Sequence, residues 1–181
     1  MTAAADTTPV DNFTHCHVGI VSHLQQLEEL PALLEPARRA RRIAHDALDF
    51  FRRVIREHHA DEERELFPAV MASARKGDER ERVQRIAERL THEHRRLESA
   101  WAALEPGLEA VAKGHDSELN PATLAALVND YQSHAEYEER VYLPLAQTIL
   151  GRDGNHMAAL GVSLHLRHAV PEFLAKHGHR G

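Results

Sequence analysis

With Cys16 as its single cysteine, the 181-residue chain has no means of forming an internal disulfide. A lone thiol suits a reducing compartment, and no basic stretch followed by an apolar core opens the chain, so a cytoplasmic location is expected. No run comes near 18 consecutive apolar residues, which argues against a membrane-spanning helix. Aromatic residues make up only 5%, and nine Gly and eight Pro are few for this length, so long helices are the default element. Positive charge is not in excess either. A net charge of −6 argues against a nucleic-acid partner. A Gly-rich phosphate loop, a Gly-x-Ser-x-Gly elbow, His-Glu-x-x-His and Glu-x-x-His are all missing. The last two absences speak against a zinc metalloprotease and a ferritin-like site.

What the chain has in quantity is histidine, 15 copies, and several are organised. His58-His59-Ala60-Asp61-Glu62 is echoed by His134-Ala135-Glu136-Tyr137-Glu138, 76 positions later, and Pro68 and Pro144 follow at matching places. Thr14-His15-Cys16-His17 is echoed by Thr91-His92-Glu93-His94 at a spacing of 77. A His and a Glu four residues apart stand on one helix face. The pattern is that of a helical hairpin present twice.

Taken in order, residues 1–10 are small and polar and are expected to be disordered, 11–150 hold four helices, and 151–181 form a C-terminal helical extension with the His-rich tail His177-Gly178-His179. Helix A carries the stripe Phe13, His17, Ile20, Val21, Leu24 and Leu27, and Pro31 and Pro36 bracket a turn. Helix B aligns Leu48, Phe51, Ile55, His58, Glu62 and Leu66, with a kink or break expected at Pro68. Gly77-Asp78 stops it and starts helix C, which aligns Val83, Ile86, Leu90, His94, Leu97, Trp101 and Leu104. A bend is expected at Pro106-Gly107, with the helix ending near Gly114. Asn120-Pro121 opens helix D, with Leu124, Leu127, Tyr131, His134, Glu138, Val141 and Tyr142 in register. The fold class expected is all-α: an up-down-up-down four-helix bundle with a short extra C-terminal helix.

In such a bundle, residues level on neighbouring helices are equidistant from the turn between them. The midpoint of His58 and His94 is position 76, at Lys76-Gly77, and that of His94 and His134 is Gly114. The midpoint of His17 and His58 is 37.5, just past the Pro31–Pro36 segment; His15 and His23 are the rivals on helix A, and His23 moves that midpoint to 40.5. His17, His58, Glu62, His94, His134 and Glu138 therefore converge. Buried together without a metal, they would carry a heavy desolvation penalty. They are too many for one tetrahedral zinc. Mixed imidazole and carboxylate suit iron or manganese, and two carboxylates able to bridge favour a dinuclear centre.

These residues resemble the hemerythrin-like family of HHE cation-binding domains. The likeness rests on His17, on His58-x-x-x-Glu62 followed by Glu63 and Leu66-Phe67-Pro68, on His94, and on His134-x-x-x-Glu138 followed by Glu139, over roughly residues 11–150. It implies two non-haem iron ions, joined by oxo, hydroxo or carboxylate bridges, that react with dioxygen, peroxide or nitric oxide; manganese and zinc rank lower. His17, His58, His94 and His134 would be terminal ligands and Glu62 and Glu138 bridges. Oxygen-carrying members have His-x-x-x-His on helix C and His-x-x-x-x-Asp on helix D. Here Glu98 stands four after His94 and Glu138 four after His134. The chain resembles the branch with fewer histidines and two His-x-x-x-Glu motifs, which points away from reversible oxygen carriage. The function expected is in oxidative-stress or gas response, with catalase-like peroxide decomposition as the enzymatic form. A non-enzymatic iron or oxygen sensor is the alternative, and iron storage or delivery the third.

Other residues have bland readings. The face of His59 is rotated by about 100° from that of His58, so an exposed side chain is its default, against a seventh ligand or an outer partner. Glu98 and Tyr131 are outer-partner candidates, with ordinary interhelical hydrogen bonding as the competing role. The Arg cluster of helix B, Arg38, Arg39, Arg41, Arg42, Arg52, Arg53 and Arg56, reads as a solvated face first and a protein-partner surface second. Monomer and homodimer are both compatible with the sequence.

Overall fold

The computed structural model describes residues 9–152, with side chains from His17 onward; the expected extension lies outside the described residues beyond position 152. Four long helical arms make up the described chain. The first is α1 (Pro9–Leu27). The second joins α2 (Leu30–Phe50), α3 (Arg56–Asp61) and α4 (Phe67–Ser73) through wide π-helical turns at Phe51–Ile55 and Glu62–Leu66. The third is the single helix α5 (Asp78–Ala112), and the fourth joins α6 (Pro121–Tyr137) to α7 (Leu143–Leu150) through a wide turn at Glu138–Tyr142.

The reversals fall where the turn residues predict them. Ala74 leaves the helix in an extended conformation and Gly77 takes φ of +92°, a left-handed value that glycine adopts without strain. Gly114, at φ of +76°, ends the third arm. Asn120 caps α6, its Oδ1 accepting from the backbone N–H of Ala122 at 2.9 Å and Thr123 at 3.3 Å, with Pro121 in the first turn where no N–H is missed.

Of the kink or break expected at Pro68, the break does not occur: the second arm continues through it. Proline has no N–H to donate, and its ring crowds the carbonyl four residues back. The chain meets this with a wide turn just before it: the Phe67 N–H reaches back five residues to the Glu62 carbonyl. Pro144 follows the same solution, with Leu143 bonded to Glu138. The third arm carries Pro106 inside it and runs to Ala112, close to the end expected near Gly114. Gly107, beside Pro106, leaves room for Leu119, whose Cδ2 would lie 2.7 Å from any added Cβ.

The second, third and fourth arms pack around two apolar layers. One holds Leu48, Phe51, Ile55, Leu97, Trp101 and Leu104, with Phe51 and Trp101 stacked at 4.0 Å. The other holds Phe67, Val70, Val83, Leu90, Tyr142 and Ile149. On every arm the buried polar residues fall between these layers in sequence: His59 and Glu62, His94, His134 and Glu138. The site is a polar seam across an otherwise apolar core.

The first arm behaves differently. Its stripe, expected to be buried, is exposed in the described part: Val18, Ile20, Val21, Leu24 and Leu27 are each half exposed or more. The expected turn at Pro31–Pro36 is also absent. Pro31 sits in the first turn of α2 and Pro36 inside it, and the interruption lies earlier, at 28–29. There Glu28 N–H bonds to Gln25 O and Glu29 N–H to Gln26 O, so the chain direction is kept rather than reversed.

Candidate metal centre

Three wide turns set which side chains face the seam. Each carries about one residue more than an α-turn, so the buried face steps round by about 100°. After Phe51 and Ile55, an unbroken α-helix would continue the face at position 58. The extra residue of the Phe51–Ile55 turn moves it to His59, which is only 1% exposed. The expectation of an exposed His59 is thereby corrected. His58 stays at the edge of the seam, its side chain 39% exposed. Glu62, three residues past His59 and four past His58, is reached from both.

Two groups result. The imidazoles of His59, His94 and His134 bring one nitrogen each within 4.8 Å of one another, and His58, Glu62 and Glu138 do the same. His59 and His94 stack with centroids 3.9 Å apart, while His134 stands edge-on to His94 at 4.9 Å. Glu62 links the groups. Its Oε1 lies 3.3 Å from His58 Nε2 and its Oε2 3.2 Å from His94 Nε2. His134 Nε2 is 4.0 Å from Glu138 Oε2.

Behind the buried imidazoles stands a row of carboxylates. His94 Nδ1 donates to Glu63 at 2.9 Å, His134 Nδ1 to Glu93 at 3.1 Å and His59 Nδ1 to Glu98 at 3.2 Å. Arginines hold those carboxylates in turn: Arg95 binds Glu63 and also reaches Glu98 at 3.4 Å, and Arg89 holds Glu93 at 2.7 Å while lying over the Tyr137 ring at 3.6 Å. With Nδ1 so occupied, each Nε2 turns its lone pair inward. All three Nε2 atoms, with Glu62 Oε2 and Glu138 Oε1, are buried without a hydrogen-bond partner. Five such atoms facing one another is costly unless a cation collects them.

The electrostatics agree with a site awaiting positive charge. Burial, followed by the neighbouring His94 and His58, drives His59 down to about 3, so it is neutral. Burial also lowers His134, though Glu93 opposes the shift. On His94 burial is outweighed by Glu62 and Glu63, which raise it. Burial and the adjacent Glu62 push Glu138 up to about 9, while Glu62 is held down to about 2, against its own burial, by the nearby His94 and Glu138. The two carboxyls thus share one proton. Tyr131, pushed up to about 12 by burial and by Glu62 and Glu138, lies beside the His59 and His134 rings at 6.3 and 6.0 Å.

A model of the Hemerythrin HHE cation binding domain matches residues 8–146. The chain belongs to this hemerythrin family. Its metal-cation binding and its helical bundle follow from that membership, and the paired His and Glu clusters offer donor atoms spaced closely enough to hold such ions. Among curated proteins, this hemerythrin-like chain is similar to an uncharacterized protein of Haemophilus influenzae, 26% identical over 158 residues, which cover 83% of this chain and 88% of that one. No solved structure matches it significantly. Among the described residues no helix is long and apolar enough to cross a membrane.

Of the hemerythrin-type residues expected from sequence, His58, Glu62, His94, His134 and Glu138 are brought together, and His17 is not: it lies exposed on the first arm. His23 is exposed as well, its Nδ1 paired with the Gly19 carbonyl at 2.9 Å. Glu98, a candidate for an outer partner or an ordinary interhelical bond, accepts from His59 Nδ1 at 3.2 Å. Glu63 and Glu93, equivalent to Glu98 in action, were not foreseen in that role; each adjoins a clustered residue, and a neighbour on a helix points toward the next arm. The Arg face of the second arm is exposed and partly paired within the chain, Arg42 to Glu35 at 3.0 Å and Arg52 to Glu105 at 2.6 Å.

Removing one outer carboxylate tests this arrangement. Glu93→Gln keeps the shape but loses the charge that fixes His134, and metal affinity should fall roughly ten- to a hundredfold with helix content unchanged. Chelator competition followed beside circular dichroism measures both.

Proposed function

We propose that the chain is a dinuclear non-haem iron protein that binds and reacts with dioxygen, peroxide or nitric oxide in oxidative-stress or gas response. The observation that carries the reading is the set of five buried, unpartnered donor atoms from three imidazoles and two carboxylates. Three neutral-capable nitrogens with two carboxylates suit iron better than zinc, whose closed sites need only four ligands. His59, His94 and His134 would hold one ion and His58 with Glu62 and Glu138 the other, the two carboxylates spanning between. Bound there, iron supplies one-electron redox chemistry and open positions for a small ligand.

The remaining work falls to the chain. Glu63, Glu93 and Glu98 keep each Nδ1 protonated, so the tautomer is set before a metal arrives. Glu138 holds a proton at neutral pH and releases it when the ions enter. The Tyr142 hydroxyl is fully buried and without a hydrogen-bond partner; burial first, then Glu138 and Glu62, raise its ionisation, so it stays a neutral donor. A cavity of about 220 Å³ between α5 and α6 reaches Glu93 and His134 from outside, ample for a diatomic molecule or peroxide. A half-exposed His58 leaves a second approach.

The test adds two equivalents of ferrous iron without oxygen, then peroxide, while oxygen release and near-ultraviolet absorbance are followed. Turnover over many equivalents is expected if peroxide decomposition is the activity, and a single stoichiometric oxidation identifies a sensor. One zinc per chain, unaffected by Glu62→Ala, would overturn the dinuclear reading.

A further inference from the structure

The three buried imidazoles of the seam are held from behind by two arrangements rather than three. His134 has a pair of its own, Glu93 with Arg89, and Arg89 is fixed further by lying over the Tyr137 ring. His59 and His94 share a single arginine. Arg95 binds Glu63, the carboxylate that accepts from His94 Nδ1 at 2.9 Å. Its other terminal nitrogen donates at 3.4 Å to Glu98, the carboxylate that accepts from His59 Nδ1 at 3.2 Å. The two rings lie face to face, 3.9 Å apart and 6° from parallel. One guanidinium, two carboxylates and two stacked imidazoles close a loop.

Helical geometry places this loop. Arg95 follows His94 on α5, so its direction is turned by about 100° from the seam, and Glu98 lies three residues further on the same face. Glu63 comes from the second arm, one residue past Glu62. Stacking sets the spacing of two rings but not which way their nitrogens point. The Nδ1 bonds set that direction, and they do so only while the carboxylates stay in place. Glu63 and Glu98 are both half-buried, and two carboxylates brought to one point repel each other. The planar fork of an arginine satisfies both at once, which a single-point cation does less well.

We propose that Arg95 is the positioning residue of His59 and His94: one guanidinium orients both imidazoles, so that the two take up a metal ion as a unit, while His134 is set independently by Arg89 and Glu93. The metal half of this role rests on the dinuclear reading above. The orientation of the two rings in the metal-free protein does not. Arg95 is also within reach of solvent. Its side chain is more than half exposed, and with Glu63 it lines a groove of about 660 Å³ between α4 and α5 that takes in Phe67, Met71 and His92. A small cation of the same shape can therefore enter where the side chain has been removed.

Heteronuclear NMR of the metal-free, isotope-labelled full chain reads each imidazole Nδ1–H separately. Arg95→Ala should move the His59 and His94 signals together and leave that of His134 in place, with helix content unchanged. Ferrous iron affinity, from chelator competition, should fall about tenfold. Guanidinium chloride, far below unfolding concentrations, should restore both signals and the affinity, and sodium chloride at equal concentration should not. Arg96→Ala removes a similarly exposed arginine, paired with Asp130, and should change neither signals nor affinity. In a chain already carrying Glu63→Gln and Glu98→Gln, Arg95→Ala should cost little more, since no carboxylate is left for it to hold. Three signals that all shift, a loss that adds in full to that of the carboxylate pair, or a loss that guanidinium does not restore overturns the proposal. A parent with the expected signal changes that takes up no iron overturns the dinuclear reading and leaves the positioning of the rings standing.

Discussion

Glu138→Gln is expected to weaken metal binding at least a hundredfold, to leave metal-free stability within about 1 kcal/mol of the parent below pH 4.5, and to make the metal-free variant the more stable of the two at pH 7. These effects follow from one fact: Glu138 is protonated in the metal-free fold. Burial and Glu62 push it up to about 9, so near neutrality it is a neutral group that an amide copies in shape and charge. Toward a cation the equivalence ends, since the acid can lose its proton and the amide cannot. The pH dependence has a definite sign. In the unfolded chain the same carboxyl ionises near 4.5. Stability from Glu138 is therefore fully present below pH 4.5 and is lost as pH rises toward 9, because the folded state there holds a proton that the unfolded state has released. His59 runs the opposite way, its contribution lost as pH falls from 6.5 toward 3. The metal-free protein should thus be most stable in mildly acidic solution and weaken toward pH 9, and the variant should not show the alkaline decline. Metal affinity of the parent should climb about tenfold per pH unit over the neutral range, as loading the site displaces the one proton. Titration calorimetry from pH 6 to 8.5, beside thermal melts in chelator, measures all of it. A variant that still binds two ions tightly would show that Glu138 is not a ligand.

Much of this arrangement is readable from residue spacing, and what is not has identifiable causes. The third arm is the clearest case. Val83, Ile86, Leu90, His94, Leu97, Trp101 and Leu104 keep a strict helical period, and all seven are buried. Gly77, Gly114 and Asn120 mark the reversals because each meets a backbone demand that few residues meet. The wide turns are a harder matter. Pro68 and Pro144 announce an irregularity at Glu62–Leu66 and Glu138–Tyr142, but the turn at Phe51–Ile55 contains no proline or glycine and leaves no mark in the sequence. That one hidden residue exchanges His59 for His58 at the seam. Periodicity counts residues, and it fails by one wherever a helix widens.

The first arm shows a different limit. Its apolar stripe at Ile20, Val21, Leu24 and Leu27 is plain, yet a stripe says only that a surface wants covering, not by what. Pro31 and Pro36 read as a turn because proline disfavours helix interiors, but at a first turn it costs nothing, and one further in costs a hydrogen bond without stopping the helix. Where the chain reverses decides which residues become level. Moving the interruption from 31–36 to 28–29 takes His17 further out of level with His58.

Loading the site should raise the melting temperature by roughly 10 °C, the largest stability change expected from any ligand of this protein. The metal-free seam leaves five imidazole and carboxylate atoms unpartnered, each of which costs about 1–3 kcal/mol when no bond or ion meets it. A cation collecting them relieves that penalty in the folded state alone, since the unfolded chain cannot gather residues from three arms. At metal concentrations a thousandfold above the dissociation constant, mass action contributes about 4 kcal/mol, and for a chain of this size each kcal/mol moves the midpoint by about 2–4 °C. The two apolar layers flanking the seam should transmit the gain to the whole core, so one cooperative transition should shift as a unit. Calorimetry with ferrous iron under nitrogen, against the same sample in chelator, gives the comparison. Glu62→Ala should abolish the shift, because Glu62 makes the closest link between the two groups, 3.3 Å from His58 and 3.2 Å from His94. Equal midpoints with and without metal in the parent would mean that the five inward-facing atoms are not the ions' ligands.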